Sequence, residues 1–254
     1  MQAGYNNEFY EGFKDSSRLS ASVVVPIVMN LVKPKSIIDI GCGIGVWLSV
    51  FKEKGVKSIM GVDGPWVDKK LLAIPENCFL AQDISVPFTL SNRADMVVCL
   101  EVAEHIPSSA AKHLITTLTS VAPVILFSAA IPHQGGSGHI NEQWPEYWAT
   151  LFKERGFVPV DCLRHKLLND KRVSWFYSQN MFIFISKKNL PNYPLLEQAV
   201  AAGFSMTPPM VHPYKYLYFA ERWQLLVPFL GKLPVSLLHK TKEFLTRIFK
   251  RKTS

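Results

Sequence analysis

The sequence predicts a doubly wound α/β fold, and two observations support that prediction. Short apolar segments typical of buried strands alternate with helical segments throughout residues 36–188, the order expected of a sheet with helices on both faces. The first of these strands runs into three glycines at alternate positions, within SIIDIGCGIG (residues 36–45). Glycine permits a sharp turn and the close approach of a ligand because it carries no Cβ. A helix over residues 46–54 is predicted to follow this turn.

The remaining strands and helices follow in order along the chain. Strands are predicted at residues 58–62, 78–84, 94–100, 124–130, 157–164 and 180–186, and helices at 108–120 and 141–155. The last strand is expected to close the sheet as an antiparallel edge. A helix capped by Ser16 or Ser17 and ending at Val32 should precede the first strand. We therefore expect three parts: a helical cover (1–35), a core (36–188) and a C-terminal extension (189–254).

Composition restricts the class of protein. A chain of 254 residues can bury a complete core, and 48% hydrophobic residues exclude wholesale disorder. No apolar stretch approaches the ~20 residues of a membrane span, and the first residues lack the pattern of a signal peptide. We therefore expect a cytoplasmic protein. The four cysteines include no C-x-x-C pair, which favours buried thiols over a disulfide framework or a thiolate zinc site.

The positive charge is concentrated at the C-terminal end. Of the net charge of +8, residues 231–254 supply +6, from seven Lys or Arg and one Glu, so the rest of the chain is nearly neutral. Residues 235–252 place apolar side chains on one helical stripe and basic side chains largely elsewhere. Such a helix can dock on its own core or in a homodimer, bind an anionic membrane surface at the inner face of the membrane, or bind nucleic acid. Residue pattern alone does not choose between these partners.

Acidic residues follow two of the predicted strands. Asp63 comes 18 positions after Gly45 and could accept two hydrogen bonds from a ribose diol, although an aspartate in D-G-P is also a common turn residue. Gln82 and Asp83 stand at the end of the third strand. Because open α/β sheets bind ligands at the carboxyl ends of their strands, these side chains are candidate ligand contacts.

Two carboxylates and an imidazole follow the fourth strand. If the chain enters a helix there, Glu101, Glu104 and His105 lie on one face at positions i, i+3 and i+4. Two carboxylates so close together are unfavourable unless a cation neutralises them, which predicts a divalent metal. The alternative is that these acidic residues merely favour the start of a helix.

The glycine turn carries a resemblance to a known family. Its spacing, D-x-G-x-G-x-G from Asp39 to Gly45, resembles motif I of the class I S-adenosylmethionine-dependent methyltransferases, and the resemblance extends over residues 30–186. It implies a seven-stranded Rossmann-like methyltransferase sheet and S-adenosyl-L-methionine as cofactor. The implied cofactor contacts are Asp39, Gly41, Gly43, Gly45, Asp63, Gln82, Asp83 and the Leu100 backbone, with Asp83 near the adenine amino group.

The segment LEVAEHI (100–106) resembles two metal-dependent groups, the small-RNA 3′-end 2′-O-methyltransferases and the ubiquinone-pathway O-methyltransferases. In the first group a further histidine after strand five completes the metal site, and His139 in GHINEQWPEYW holds that place here. The implied metal ligands are Glu101, Glu104, His105 and His139, and the implied catalytic residues are Glu101, His105 and His139. This donor set suits Mn²⁺, Fe²⁺, Co²⁺ or Zn²⁺ better than Mg²⁺, although abundance can override that preference. A competing mechanism uses His139 or His133 as a general base without metal.

The stretches FSAAIPHQGGSGHINEQWPEYW and YSQN resemble a bacterial group of methyltransferases associated with surface-polysaccharide and glycan gene sets. This resemblance implies O-methylation of a small polar acceptor, a sugar or a phosphate-bearing precursor, and it does not favour nucleic acid. Gln134 and the glycines beside it could cradle an oxyanion or form a mobile lid. Tyr177 and Gln179 are candidate substrate contacts. Two alternatives remain: a nucleic-acid 2′-O-methyltransferase, and a non-catalytic membrane-associated scaffold with a cofactor fold.

Overall fold

The computed structural model describes the backbone of residues 7–230 and the side chains of residue 12 and residues 14–221. The chain divides into two compact units, Met1–His212 and Pro213–Ser254. The first unit holds the sheet and the candidate site. The predicted basic helix over residues 235–252 lies outside the described residues.

The first unit is built on one mixed sheet with strand order β3-β2-β1-β4-β5-β7-β6. Its strands are β1 (Ser36–Ile40), β2 (Ser58–Asp63), β3 (Phe79–Ala81), β4 (Met96–Leu100), β5 (Val124–Ser128), β6 (Phe157–Val160) and β7 (Phe182–Ser186). Strands β1 to β5 run parallel, whereas β7 runs antiparallel between β5 and β6. The order reverses between β1 and β4, which is where a ligand crevice is expected.

Helices cover both faces of this sheet. They are α1 (Asn7–Val32), α2 (Val46–Glu53), α3 (Ser108–Val121), α4 (Pro145–Glu154), α5 (Arg164–Leu167), α6 (Trp175–Asn180) and α7 (Pro194–Ala199), while α8 (Pro213–Leu230) belongs to the second unit. No helix in the described part of the chain is both long and apolar enough to cross a membrane.

The two core layers follow from the alternation of side chains along the strands. Ile37 of β1 packs with apolar residues of α1 and α2 on one face. Ile38 and Ile40 pack with α3 and α4 on the other. Central strands buried on both faces explain why their sequences are nearly continuous apolar runs.

Several predicted boundaries were wrong, for local reasons. Helix α1 begins at Asn7 and runs through Ser16 and Ser17, so neither serine caps it. Helix α4 begins at Pro145 instead of residue 141, because proline suits the first helical turn and forces the preceding residue into an extended conformation.

The sheet edge was also predicted wrongly. Strand β7 is antiparallel, as predicted, but it lies inside the sheet, and β6 forms the edge. Strand β6 has only four residues, because it ends at Val160 and the chain turns into α5 at Arg164. Short strands are common at sheet edges. Its Pro159 also suits an edge position, since proline cannot donate to a ladder of hydrogen bonds. Strand β3 is also shorter than predicted: it begins at Phe79, after a 3₁₀ turn at residues 76–78, and it ends at Ala81 instead of residue 84.

Candidate active site

A cavity of about 290 Å³ lies at the carboxyl ends of the parallel strands. One part of its wall is the glycine turn after β1, and another is formed by the segment after β4 and the loop of residues 134–139. Lys14 and Ser17 of α1 and three aromatic residues of α6 also contribute to the wall. The sheet therefore brings the glycine turn and the predicted Glu and His cluster to a single cavity.

The glycine turn has the backbone shape that only glycine adopts readily. Gly41, Gly43 and Gly45 have φ angles of 81°, 53° and 80°. A Cβ on Gly41 would also overlap the Val102 side chain, with one methyl carbon 2.8 Å away. Gly41 and Gly43 line the cavity, whereas Gly45 lies at the start of α2 against Ile74. The turn thus forms a cradle without side chains, which fits the close approach of a nucleoside cofactor.

Two buried aspartates lie beside this cradle. Asp63 accepts hydrogen bonds from the backbone N–H groups of Gly43 (2.7 Å) and Gly64 (2.6 Å). Burial raises the pKa of Asp63, and burial followed by the Asp63 charge raises the pKa of Asp39 well above its usual value. Both carboxyl groups line the cavity, so they offer acceptors to ribose hydroxyls or to an ammonium group. The residues here fit S-adenosylmethionine, which carries both.

Gln82 and Asp83 do not reach the cavity wall. The Asp83 carboxylate accepts hydrogen bonds from the Ser85 N–H (2.8 Å) and hydroxyl (2.6 Å), and so closes a local turn. Leu100 lines the cavity, and so do Ile84 and Trp66. A role for Asp83 at the adenine remains a prediction.

Three of the four predicted metal ligands come together. In the described part of the chain, Glu104, His105 and His139 each offer a ligand atom, and these atoms lie within 4.8 Å of one another. The rings of His105 and His139 meet edge to face, with centroids 4.7 Å apart.

The helical face expected for Glu101, Glu104 and His105 was wrong. Glu101 has a left-handed backbone (φ 53°), and Ala103–His105 is a 3₁₀ turn. The α-helix begins only at Ser108, after Pro107, because proline disfavours helix in the residue before it. A tight turn therefore brings these side chains together. The left-handed Glu101 is a backbone outlier of the kind that clusters at functional sites.

Glu104 is fully buried and poorly solvated. Within the described residues neither of its carboxylate oxygens accepts a hydrogen bond of good geometry. Burial, and then the charge of Glu101, raise the pKa of Glu104 well above its usual value, although the nearby backbone N–H groups of Glu104 and Ala130 oppose this. An unsatisfied buried carboxylate beside a second one fits a cation, because a positive charge stabilises both ionised forms at once.

Glu101 is held by side-chain amides. Asn180 donates to both of its oxygens (3.1 and 3.2 Å), and Gln134 donates to one (3.0 Å). The Gln134 carbonyl oxygen in turn accepts from Asn180 (2.8 Å) and Gln179 (3.1 Å). Burial raises the pKa of Glu101 to about 7, and these donors limit the rise. The carboxyl group can therefore gain or lose a proton near neutral pH.

Sequence analysis expected amide groups of residues 175–180 at the mouth of the site, but it placed Asn180 at the start of a strand and assigned it no contact. Its segment instead forms α6, which points Gln179 and Asn180 inward, where each is almost fully buried. The sequence offered one chemical signal. The side-chain amides of Gln134, Gln179 and Asn180 lie in or beside apolar segments, and amides need hydrogen-bond partners when they are buried.

The surroundings of His105 favour its neutral imidazole form. Burial, and then the neighbouring His139, lower its pKa to about 4, while a contact with the Gly138 carbonyl opposes the shift. A neutral ring keeps a lone pair, which a metal ligand or a proton acceptor requires. Tyr177 behaves differently: burial raises its pKa to about 12, and its hydroxyl accepts a hydrogen bond from the Trp47 indole (3.3 Å).

The strand order, the glycine cradle and the cavity together define a class I S-adenosylmethionine-dependent methyltransferase. The comparison with known families agrees: the model of the methyltransferase domain matches residues 18–161, and the chain belongs to that family. The predictions of family, fold and S-adenosylmethionine dependence are thereby confirmed. No curated protein matches the chain.

Solved structures share the fold at low sequence identity. One is the S-adenosylmethionine-bound amino pentose methyltransferase CalS10 of Micromonospora echinaspora, involved in calicheamicin biosynthesis, with 13% identity and a TM-score of 0.52 over 74% of this chain and 100% of that one. A second is a putative O-methyltransferase of Nostoc punctiforme, with 12% identity and a TM-score of 0.52 over 73% of this chain and 62% of that one. A third is DesVI of Streptomyces venezuelae, with 12% identity and a TM-score of 0.50 over 70% and 95%. At these identities the likeness concerns the fold.

Proposed function

We propose that this methyltransferase acts on a hydroxyl oxygen of a small polar acceptor and is assisted by a divalent metal at Glu104, His105 and His139, with Glu101 beside them. One observation carries the proposal. A single cavity contains both the glycine cradle with Asp63 and the Glu104, His105 and His139 cluster. A methyl donor at the first position and an acceptor at the second would meet inside that cavity.

The chemistry requires an in-line approach and the removal of one proton. S-adenosylmethionine supplies an electrophilic methyl group; the acceptor oxygen forms a bond to its carbon, the bond from that carbon to sulfur breaks, and S-adenosylhomocysteine leaves. The proton of the acceptor hydroxyl passes to a base of the protein. Glu101, beside the cluster, is the candidate base, because its pKa of about 7 allows it to accept a proton near neutrality. In the competing mechanism without metal His139 takes that role, since a lone pair that binds a metal cannot also accept a proton.

A divalent ion bound here would lower the pKa of the acceptor hydroxyl before transfer. Two imidazoles and one or two carboxylates are donors that favour Mn²⁺, Fe²⁺, Co²⁺ or Zn²⁺ over Mg²⁺. Two features support a cation: the buried carboxylate oxygens of Glu104 without good hydrogen bonds, and the neutral state of His105. Glu101 is the fourth predicted ligand, and Asn180 and Gln134 hold its carboxylate close to the cluster.

We propose a sugar or a phosphate-bearing acceptor of bacterial surface-glycan biosynthesis, as the sequence resemblance implies, and the rest of the cavity wall offers groups that suit such a molecule. Trp175 and Phe176 offer aromatic faces, Ser17 and Ser137 offer hydroxyls, and Lys14 offers a cation for an acidic group. The amino pentose methyltransferase with the same fold makes sugars a sensible first class to test.

Transfer of a radiolabelled methyl group tests the acceptor class. The purified protein is incubated with labelled S-adenosylmethionine and, separately, with nucleotide sugars, sugar phosphates and a total RNA preparation, each with and without a chelator. We expect label in a sugar or sugar phosphate, and loss of transfer with the chelator that Mn²⁺ restores. Label in RNA alone would contradict the acceptor class, and full activity in the chelator would contradict metal assistance.

We propose in addition that the C-terminal extension binds an anionic membrane surface. In α8, Tyr214, Tyr216 and Phe219 are 58%, 64% and 47% exposed, and aromatic side chains of this kind suit the membrane interface. The strongly basic residues 231–254 follow directly in sequence. Flotation with vesicles that contain anionic lipid should carry the full chain upward and leave a chain ending at residue 212 behind. Equal recovery of both chains in the soluble fraction would contradict the idea.

A further inference from the structure

The loop before α4 is tied together by one carboxylate, that of Glu142. Its Oε2 accepts a hydrogen bond from the His133 backbone N–H (2.8 Å), and its Oε1 accepts one from the Gly135 N–H (2.7 Å). The same Oε1 lies 2.9 Å from Nδ1 of His139. The side chains of Glu142 and His139 are only 20% and 12% exposed. None of these contacts was anticipated from the sequence.

The third contact fixes the chemical form of the imidazole. An ionised carboxylate only accepts hydrogen bonds, so Nδ1 of His139 must carry the proton that lies between the two groups. In a neutral histidine the other nitrogen, Nε2, then holds the lone pair. Nε2 is therefore the nitrogen that can bind a metal or accept a proton from an acceptor.

The surrounding loop leaves room for this arrangement but does not enforce it. His133, Gly135 and Gly138 all have left-handed backbones, with φ angles of 65°, 72° and 73°, and three glycines in four residues give the unfolded loop great freedom. A Cβ on Gly136 would overlap the His139 ring, with Cδ2 2.8 Å away, so the ring occupies the space that this glycine provides. The left-handed His133 is tolerated because its own N–H is one of the groups that Glu142 holds.

We infer that Glu142 is a positioning residue that holds His139 in its Nδ1–H form. The lone pair of Nε2 can then bind a metal together with Glu104 and His105, or accept a proton from the acceptor. The inference rests on the proposed function for its consequence, because His139 is a candidate metal ligand there, or the base if no metal takes part. Its physical content is independent of metal and of turnover: the contact predicts one tautomer of one imidazole. A carboxylate that accepts a hydrogen bond from the other ring nitrogen of a metal-binding histidine commonly raises the metal affinity roughly 10- to 100-fold.

The alternative is that Glu142 only closes the loop through its two backbone contacts. In that case His139 would keep the same tautomer and the same metal affinity without Glu142. A readout of the imidazole itself separates the two roles, because loop closure alone does not decide which nitrogen is protonated.

Nitrogen NMR of ¹⁵N-histidine-labelled, metal-free protein measures this directly, at a pH where the imidazoles are neutral. The signals of His139 are assigned by their loss in His139→Gln. We expect a protonated Nδ1 in the wild type, a shift toward protonated Nε2 in Glu142→Ala, and no change in Glu146→Ala, which removes an exposed carboxylate four residues further on. A wild-type His139 protonated at Nε2 would overturn the inference even if the variant fails to fold. An unchanged tautomer in folded Glu142→Ala would overturn it as well.

Titration with Mn²⁺ alone then links the tautomer to the proposed function. Glu142→Ala should bind Mn²⁺ about 10- to 100-fold more weakly than the wild type. In a His139→Ala background, Glu142→Ala should weaken Mn²⁺ binding no further, since Glu142 affects the metal only by positioning the His139 ring. The same loss in both backgrounds would contradict a role through His139. If the wild type binds no Mn²⁺, the metal-assisted function fails, while the NMR result still decides the role of Glu142.

Discussion

Replacing Glu104 by glutamine should make the metal-free protein more stable above neutral pH, although it removes a candidate metal ligand. Glutamine resembles the protonated acid in shape and carries no charge. Glu104 is fully buried, and its carboxylate oxygens have no hydrogen bond of good geometry in the described part of the chain. The substitution should therefore remove the free-energy cost of burying an ionised carboxylate, and it should break no hydrogen bond of good geometry.

The neighbouring carboxyl, Glu101, shows how burial makes the folding free energy depend on pH. Burial raises the pKa of Glu101 from 4.5 to about 7, which corresponds to about 3 kcal/mol of folding free energy at about 1.4 kcal/mol for each tenfold change. Between these two pH values the unfolded chain has released a proton that the folded chain keeps. Stability contributed by the protonated form is therefore present below pH 4.5 and is lost as the pH rises to about 7. The pKa of Glu104 is raised in the same direction, by burial and then by the charge of Glu101.

Urea denaturation in the presence of a chelator measures this. We expect wild type and Glu104→Gln to have equal unfolding free energies near about pH 4, and the variant to gain roughly 1 to 3 kcal/mol near about pH 8, the usual cost of a buried group left without hydrogen bonds. Glu146→Gln, at an exposed position, should match the wild type at both pH values. Added Mn²⁺ should stabilise the wild type and leave Glu104→Gln unchanged. A variant that is less stable than the wild type at both pH values would refute the reasoning, because it would show that the native contacts of Glu104 outweigh the cost of its burial.

Three further substitutions test the cradle and the packing. Gly41→Ala should weaken S-adenosylmethionine binding about tenfold or more in calorimetry, because a left-handed alanine that also overlaps Val102 strains the turn by about 1–3 kcal/mol. Asp63→Ala should weaken cofactor binding by about 1.5 to 3 kcal/mol, the range for a hydrogen bond to a charged group, and unchanged affinity would show that Asp63 serves only the turn. Arg164→Leu should lower the free energy of unfolding by about 3 to 5 kcal/mol in urea, because it strips Asp161 of a buried partner that donates to both its oxygens at 2.9 and 2.6 Å; a loss below about 1 kcal/mol would contradict that account.

The sequence was most informative where a local pattern determines the structure. The strand of residues 36–40, its three glycines and helix α2 are neighbours in the chain, and the structure has them as predicted. The parallel direction of strands β1 to β5 followed from their alternation with helices, but their order in the sheet did not. The helix predicted from residue 108 does begin at Ser108, after Pro107. The helical face considered for Glu101, Glu104 and His105 was wrong, because a 3₁₀ turn precedes that helix.

The rest of the site depends on contacts between distant parts of the chain. Asn180 reaches Glu101 across 79 positions and Gln134 across 46. Arg164 joins Asp161 to the carbonyl of Pro208 across 44 positions. No residue pattern reveals such partners, because tertiary packing decides which buried polar groups meet. Glu142 is closer to His139, but the tight loop that brings them together is set by glycine geometry that the sequence does not specify.

The central claim is that one cavity contains both the glycine cradle for the cofactor and the candidate metal ligands Glu104, His105 and His139. Parallel titrations of S-adenosylmethionine and of Mn²⁺ into wild type and into a His105→Ala, His139→Ala double variant test it most directly. The account predicts that the wild type binds both, with about one Mn²⁺ per chain, and that the variant loses Mn²⁺ while its affinity for S-adenosylmethionine stays the same. A wild type that binds S-adenosylmethionine and no divalent ion, or a variant that keeps its metal, would contradict the account.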